Sequence, residues 1–250
     1  MELLELSTAR SGGPVVLIHG FAASAFSGWV RTGWARALEQ AGFRPLGVDL
    51  PGHGHRADPA PPGTTRAGLA ERIAGLVAGL GTAAPVPLVG HSLGAQLAWS
   101  AAARHPWIGA LVLGGIGPDD HLPELGRALE GAGPAGPAAR GLAAALTASA
   151  PGDDPGAVER WSGFARRVGA EPFAPDAAVP AQPVLLFAGA RDAWADPAEL
   201  ARRRPEGAPA QVLLVPGRGH VDVLTARAAR QGAVAFLRRA AGPHGPRVVP

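Results

Sequence analysis

Chemistry is first suggested by a serine set between two glycines: Gly90-His91-Ser92-Leu93-Gly94, the only G-x-S-x-G pentad in the chain. Leu88 and Val89 before it read as the end of a short buried strand, and Leu93–Ala103 has helical character. A serine at the apex of strand, turn and helix is held in a strained backbone conformation, its hydroxyl pushed out above the sheet. Glycine is needed two residues to either side, because a Cβ there would collide with the tight strand–helix crossing. A serine hydroxyl is a weak nucleophile until a base takes its proton, and that base needs an acid to orient it. Later strand ends supply both. Asp192 closes Gly189-Ala-Arg-Asp192, and His220 closes Gly217-Arg-Gly-His220. Asp119 and Asp120, behind an earlier strand, are alternative acids.

Three such distant loops meet only if the intervening chain builds one sheet. Short apolar runs recur at 15–18, 46–49, 86–89, 110–113, 184–187 and 212–215. They are continuous rather than alternating, as strands covered on both faces are. Helical segments near 32–41, 65–80, 93–105, 197–204 and 222–241 separate them. This alternation predicts an α/β fold: a doubly wound, mostly parallel sheet of about seven strands with helices on both faces. Chemistry then belongs at the carboxyl ends of the strands. One interval is longer than a connection needs to be. Residues 117–181 offer no strand but three helical pieces, near 121–131, 137–148 and 155–168. Leu122, Leu125, Leu129, Leu142, Leu146, Trp161 and Phe164 give these pieces apolar faces, so an ordered helical cap or lid is expected. The domain organisation expected is an α/β core over 1–116 and 182–241, the cap over 117–181, and a flexible tail over 242–250.

Four separated signatures carry a family likeness. They are His19-Gly-Phe21 behind the first strand, Asp49-Leu-Pro-Gly-His-Gly54 behind the second, the pentad, and the paired Asp192 and His220 endings. Over about residues 14–240 the chain resembles the α/β-hydrolases. The resemblance implies that Ser92 is the nucleophile, His220 the general base and Asp192 its orienting acid. It also implies an oxyanion hole made by the backbone N–H groups of Phe21 and Leu93. Leu93 opens a helix, so its N–H is unpaired and the helix dipole favours negative charge beside it. The chain departs from the family at its start. Many members begin with a longer β-meander, whereas only Leu3-Leu-Glu-Leu6 precedes Gly12 here, so an edge strand is expected to be absent.

The other residues that could do chemistry have plainer readings. His19 is expected to be a backbone-bonded structural histidine, and His53 and His55 to shape the turn around Gly52 and Gly54. His91 should point away from the serine. No H-x-x-x-H or H-E-x-x-H spacing exists, so neither metal nor cofactor is expected. Phe21, Phe26, Trp161, Phe164 and Trp194 are candidates to line a substrate pocket, while Trp29 and Trp34 read as core. Arg202, Arg203 and Arg204 end a helix, where positive charge suits the dipole and a solvated face is the default.

Composition limits the classes open to the protein. The chain has 250 residues, enough for a sizeable core, and no apolar run long enough to span a membrane. Cysteine is absent, which excludes disulfides, thiolate metal sites and a cysteine nucleophile. A formal charge of +3 is small for this length, and the arginines are scattered, so nucleic acid is not an expected partner. Acids stand near the N-terminus where an export signal carries bases, so a cytoplasmic location is expected. Lack of Lys, Asn and Tyr with abundant Gly, Ala, Pro and Arg fits a GC-rich bacterial genome. The function expected is a serine hydrolase acting through an acyl-enzyme on a small to medium, mostly apolar ester, thioester or lactone. A C–C bond hydrolase, lyase or cyclase of bacterial secondary metabolism, using the same triad as acid and base, is the alternative. A ligand-binding protein with a vestigial triad is a third reading. A small-molecule substrate is the one partner expected; oligomeric state is left open.

Overall fold

The strands are β1 (Leu3–Glu5), β2 (Gly13–Ile18), β3 (Phe43–Val48), β4 (Val86–His91), β5 (Ile108–Gly114), β6 (Val184–Gly189) and β7 (Ala210–Val215). They form one sheet in the order β1-β3-β2-β4-β5-β6-β7 in a computed structural model that describes residues 1–8, 11–54, 58–150 and 154–241. Every neighbouring pair is parallel except β1 with β3. All six apolar runs of the sequence are strands. At the start of the chain Leu3–Glu5 forms a short edge strand, antiparallel to β3 with Leu3 opposite Val48, and brings the sheet to the seven strands expected. Three residues suffice because only one side of an edge strand needs pairing.

Eight α-helices are described: α1 (Trp34–Gln40), α2 (Arg66–Ala78), α3 (Leu93–Ala102), α4 (Leu122–Glu130), α5 (Pro137–Ser149), α6 (Ala157–Gly169), α7 (Pro197–Arg202) and α8 (Arg227–Ala240). Successive side chains of a strand point to opposite faces, and β2 shows what that does here. Val16 and Ile18 enter the layer built with α2 and α3, whereas Val15 and Leu17 enter the layer built with α1 and α8. All four are fully buried. Burial of each such side chain stabilises the fold by about 1.5–3 kcal/mol, which is why these runs carry no polar alternation. Thr65 starts α2 by accepting a hydrogen bond from the Gly68 N–H at 3.0 Å.

Strand order reverses between β2 and β4, so the crevice beyond their carboxyl ends is left open. The loop carrying Phe21 leaves β2 there, and Ser92 leaves β4 there. Between β5 and β6, α4 packs against both α5 and α6. The base of this three-helix insertion is tied to the core by the buried Arg66 of α2. Its guanidinium donates to Asp120 Oδ2 at 2.6 Å, to Gln96 Oε1 at 2.6 Å and to the Glu171 carbonyl at 3.0 Å. Asp120 also accepts from the Phe173 and Leu122 N–H groups, so it joins the two ends of the insertion.

The arginine triplet at the end of α7 does not form one solvated face. Arg202 and Arg203 pair with Glu199, but Arg204 is only 7% exposed and donates to the Gln182 carbonyl at 2.6 Å. The expectations for His55 and for the 242–250 tail lie outside the described residues.

Candidate active site

Ser92 sits at the end of β4 with φ 53° and ψ −120°, the left-handed side of backbone space. A Cβ on Gly90 would come within 2.6 Å of the Gly94 carbonyl oxygen, and one on Gly94 within 2.1 Å of the Ile18 carbonyl oxygen. Both approaches are far inside van der Waals contact, so the pentad needs its two glycines for the reason the sequence suggested. Ala22, beside Phe21, has φ 56°. It and Ser92 are the two non-glycine residues with positive φ among those described, and both border the same crevice. Such conformations cost about 1–3 kcal/mol each and persist only where the surroundings enforce them.

His220 reaches this crevice from the loop behind β7. Its Nε2 lies 3.0 Å from Ser92 Oγ and its Nδ1 lies 2.9 Å from Asp192 Oδ2. Nδ1 facing a carboxylate carries the proton, which leaves the Nε2 lone pair to accept from the serine hydroxyl. The Asp192 side chain is fully buried. Burial by itself raises a carboxyl pKa, but the His220 hydrogen bond and charge, with the Trp194 N–H donated at 3.0 Å, outweigh it and hold Asp192 below the usual range. Arg191 N–H donates to the Arg218 carbonyl at 2.8 Å, which ties the loop carrying Asp192 to the loop carrying His220. Asp119 and Asp120 take no part in this relay: Asp119 is exposed, and Asp120 is engaged by Arg66.

The histidines nearby are accounted for by their partners. His19 Nδ1 donates to the Gly20 carbonyl at 2.7 Å, and its Nε2 accepts from the Leu50 N–H at 3.0 Å. Asp49, behind it, accepts from the Ala25 N–H at 2.7 Å, so the second-strand motif braces the loop after the first. His53 Nδ1 donates to the Pro51 carbonyl at 2.9 Å, and its ring meets Phe21 and Phe164 edge-on at centroid distances of 5.6 and 4.8 Å. His91 does turn from Ser92, and its Nε2 donates to the backbone carbonyl of His220 at 2.9 Å. Among the described residues, the Phe21 and Leu93 N–H groups have no protein acceptor, and both residues line the space in front of Ser92.

Burial, with a neighbouring imidazole adding to it, pushes His53 and His91 each down to about 3 from 6.5. Both are therefore neutral in the native protein and protonated in the unfolded chain between those values. The unfolded state binds more protons over that window, so stability falls as pH drops from about 6.5 towards about 3, by about 1.4 kcal/mol per pH unit for each histidine. His53→Leu is expected to remove one such contribution. Urea unfolding between neutral pH and about pH 5 reads the slope directly; a variant as acid-sensitive as the parent contradicts the assignment.

Two spaces open beside Ser92. One is a cavity of about 400 Å³ walled by Ala22, Ala23, Trp29, Leu142, Leu146 and Leu224 among others. The other, of about 30 Å³, is bordered by Gln96, Gly117, Asp119, Asp120 and His121. Phe21, Ser92, Leu125, Trp194 and His220 border both and form the wall between them. The other three expected pocket aromatics are elsewhere. Phe26 is 56% exposed on a π-helical turn, whereas Phe164 is fully buried against Phe21 and His53, and Trp161 is buried with it on α6. None of the three borders either space. α6 packs on α4 and turns its aromatics into the core, and α5 supplies the lining through Leu142 and Leu146.

A sequence model of the α/β-hydrolase fold matches residues 13–141, and the chain belongs to that family. No curated protein matches it in sequence. Solved structures similar to it include a thermophilic esterase from Thermogutta terrifontis, 21% identical over 96% of this chain and 99% of that one, with a TM-score of 0.65. An enol-lactonase from Burkholderia xenovorans LB400 is 21% identical over 94% of this chain and 95% of that one, at 0.68. The N-acyl homoserine lactonase AidH is 23% identical over 96% and 93%, at 0.69. At these identities the likeness is one of fold. No described helix is long and apolar enough to cross a membrane.

Proposed function

We propose that this hydrolase-family chain is a serine hydrolase cleaving a carboxylic ester, thioester or lactone, with a small to medium, mostly apolar acyl group. The observation that carries the reading is the unbroken relay from Ser92 Oγ through the His220 ring to the buried Asp192, at 3.0 and 2.9 Å. In the first half-reaction His220 Nε2 takes the serine proton as Oγ attacks the carbonyl carbon. The negative charge that develops on the carbonyl oxygen is met by the Phe21 and Leu93 N–H groups, each such donor worth about 3–4 kcal/mol. His220 returns the proton to the leaving oxygen, and the acyl group stays on Ser92. Water then enters, loses a proton to the same nitrogen and attacks the acyl carbon; the bond to Ser92 Oγ breaks, Oγ takes that proton back from Nε2, and the acid is released. The insertion of α4, α5 and α6 acts as a cap over this site. That esterases and lactonases share the fold is consistent with the reading and does not choose among the bonds.

A fluorophosphonate probe tests it. Rapid labelling that maps to Ser92, together with turnover of a simple ester, is the expected result. A protein that stays unlabelled has no activated serine, and labelling without turnover of any ester, thioester or lactone points to carbon–carbon chemistry instead.

His91 has a consequence for the same mechanism. It fixes the backbone of the residue that must bridge two partners, and a displacement of about 1 Å in such a group costs on the order of 10²-fold. His91→Leu is expected to lower kcat by about 10- to 100-fold with little change in KM. His91→Gln, which keeps a donor at similar reach, should recover most of it. Steady-state kinetics on both variants decide; wild-type kcat in His91→Leu reduces the residue to packing.

A further inference from the structure

Among the described residues, the two spaces that meet at Ser92 differ more than tenfold in volume, about 400 against about 30 Å³, and they differ in chemistry. Most polar residues in the wall of the larger one are satisfied by their neighbours. Ser27 Oγ is bonded to Ser24, Thr32 Oγ1 donates to the Gly28 carbonyl at 2.5 Å, and Thr225 Oγ1 donates to the Asp222 carbonyl at 2.7 Å. What this wall offers a ligand is mainly the apolar surface of Ala22, Ala23, Leu142, Leu146 and Leu224, with the Trp29 Nε1–H as a buried donor that has no protein partner among the described residues. Water finds few partners in such a space.

The compact space has an apolar side, bordered by Phe21, Ile116, Leu122 and Leu125, and a polar side that makes up a larger share of its wall than in the large cavity. Gln96 has its amide oxygen held by Arg66 at 2.6 Å, while its NH₂ group has no protein partner among the described residues. His121, stacked on Trp194 at a centroid distance of 5.4 Å, stands beside it, and Asp119 is exposed at its rim. A volume of 30 Å³ holds about two water molecules, and these groups supply the hydrogen-bond partners that water needs.

We infer that the compact polar space is the leaving-group and hydrolytic-water site and the large apolar cavity is the acyl site. The preferred substrate is therefore an apolar acyl group esterified to a compact polar or one-carbon alcohol. This rests on the serine-hydrolase reading above and deepens it. The reason lies in the shared use of one nitrogen. His220 Nε2 gives its proton to the leaving oxygen and later takes one from water, so the leaving group and the water must occupy the same place in turn. That place must suit water, and one of the two spaces does. The reverse arrangement, an acetyl group in the compact space and a long alcohol in the large one, would bring the hydrolytic water into contact with leucine and alanine.

A pair of constitutional isomers separates the two arrangements, because they have equal size and polarity and differ in which side carries the chain. Methyl octanoate and heptyl acetate are each assayed for kcat/KM with the full-length protein. The expected result is a preference of about 100-fold or more for methyl octanoate, since several methylenes are misplaced in the isomer. Leu146→Trp, which narrows the large cavity, should cut turnover of methyl octanoate more than that of methyl acetate. His121→Ala, which widens the compact space, should raise heptyl acetate relative to its isomer. Equal turnover, a preference for heptyl acetate, or fluorophosphonate labelling of Ser92 with turnover of neither isomer overturns the assignment and leaves the nucleophile in place. Failure of Ser92 to label brings down the underlying reading instead.

Discussion

Ser92→Ala is expected to give a folded protein that has lost roughly 10³- to 10⁶-fold in kcat. The fold should survive because nothing in the turn depends on the hydroxyl. The close approaches are made by Gly90 and Gly94, and the backbone of position 92 is held by its N–H, which donates to the Gly114 carbonyl at 2.8 Å. Alanine meets the same cost at φ 53° that serine already bears. Activity should collapse because the proton relay begins at that oxygen, and without it His220 has only water to activate. A residual rate is expected from the Phe21 and Leu93 N–H groups, which do not need the serine. In the proposed mechanism Ser92 and His220 act as one unit, so adding His220→Ala to Ser92→Ala should lower kcat little further. Circular dichroism and steady-state kinetics on the single and double variants check both statements. Turnover by Ser92→Ala at the parent rate removes the residue from the chemistry.

The relay could be read from sequence because each member is tied to a backbone feature that leaves a mark in residue types. The elbow demands Gly90 and Gly94, and the acid and base each follow a short apolar strand. His19 was legible as a backbone-bonded histidine for the same reason, whereas the bond from the Ala25 N–H to Asp49 was not read. Nor was the cavity legible. Which residues of α4, α5 and α6 face Ser92 depends on how three helices rotate against one another, and residue type does not encode that. Trp161 and Phe164 are apolar enough to line a pocket, yet both are buried on α6, Phe164 against His53, while the smaller Leu142 and Leu146 of α5 line the cavity. Phe26 fails differently: it lies in the right loop, but on the outer side of its turn. Trp29 is both fully buried and a cavity wall, so the alternatives of core and pocket were not exclusive. Arg204 was missed because a run of three arginines reads as one surface, whereas a helix end sends neighbouring side chains in different directions.

Asp120→Ala should be among the most destabilising single changes in the chain outside its apolar core, by about 3–5 kcal/mol. The side chains of Arg66 and Asp120 are only 4% and 5% exposed, and their contact at 2.6 Å is the one carboxylate bond the guanidinium makes among the described residues. Burial lowers the Arg66 pKa, with Asp120 and then Glu171 opposing it, but an arginine in water keeps its charge far above neutral pH. Deleting the carboxylate therefore leaves a desolvated cation hydrogen-bonded only to neutral acceptors, the Gln96 amide and the Glu171 carbonyl, with the Glu171 carboxylate as a weaker counter-charge nearby. It also frees the Leu122 and Phe173 N–H groups, one at each end of the three-helix insertion. Two readouts should then move together: the urea midpoint falls, and KM rises because the insertion carrying Leu125, Leu142 and Leu146 is less firmly seated over Ser92. Replacing both partners, as in Arg66→Met with Asp120→Leu, removes the unpaired charge and should recover much of the stability. That double variant separates charge from packing: if it is as unstable as Asp120→Ala alone, the loss comes from the backbone bonds at the insertion's base, and the ion pair contributes little.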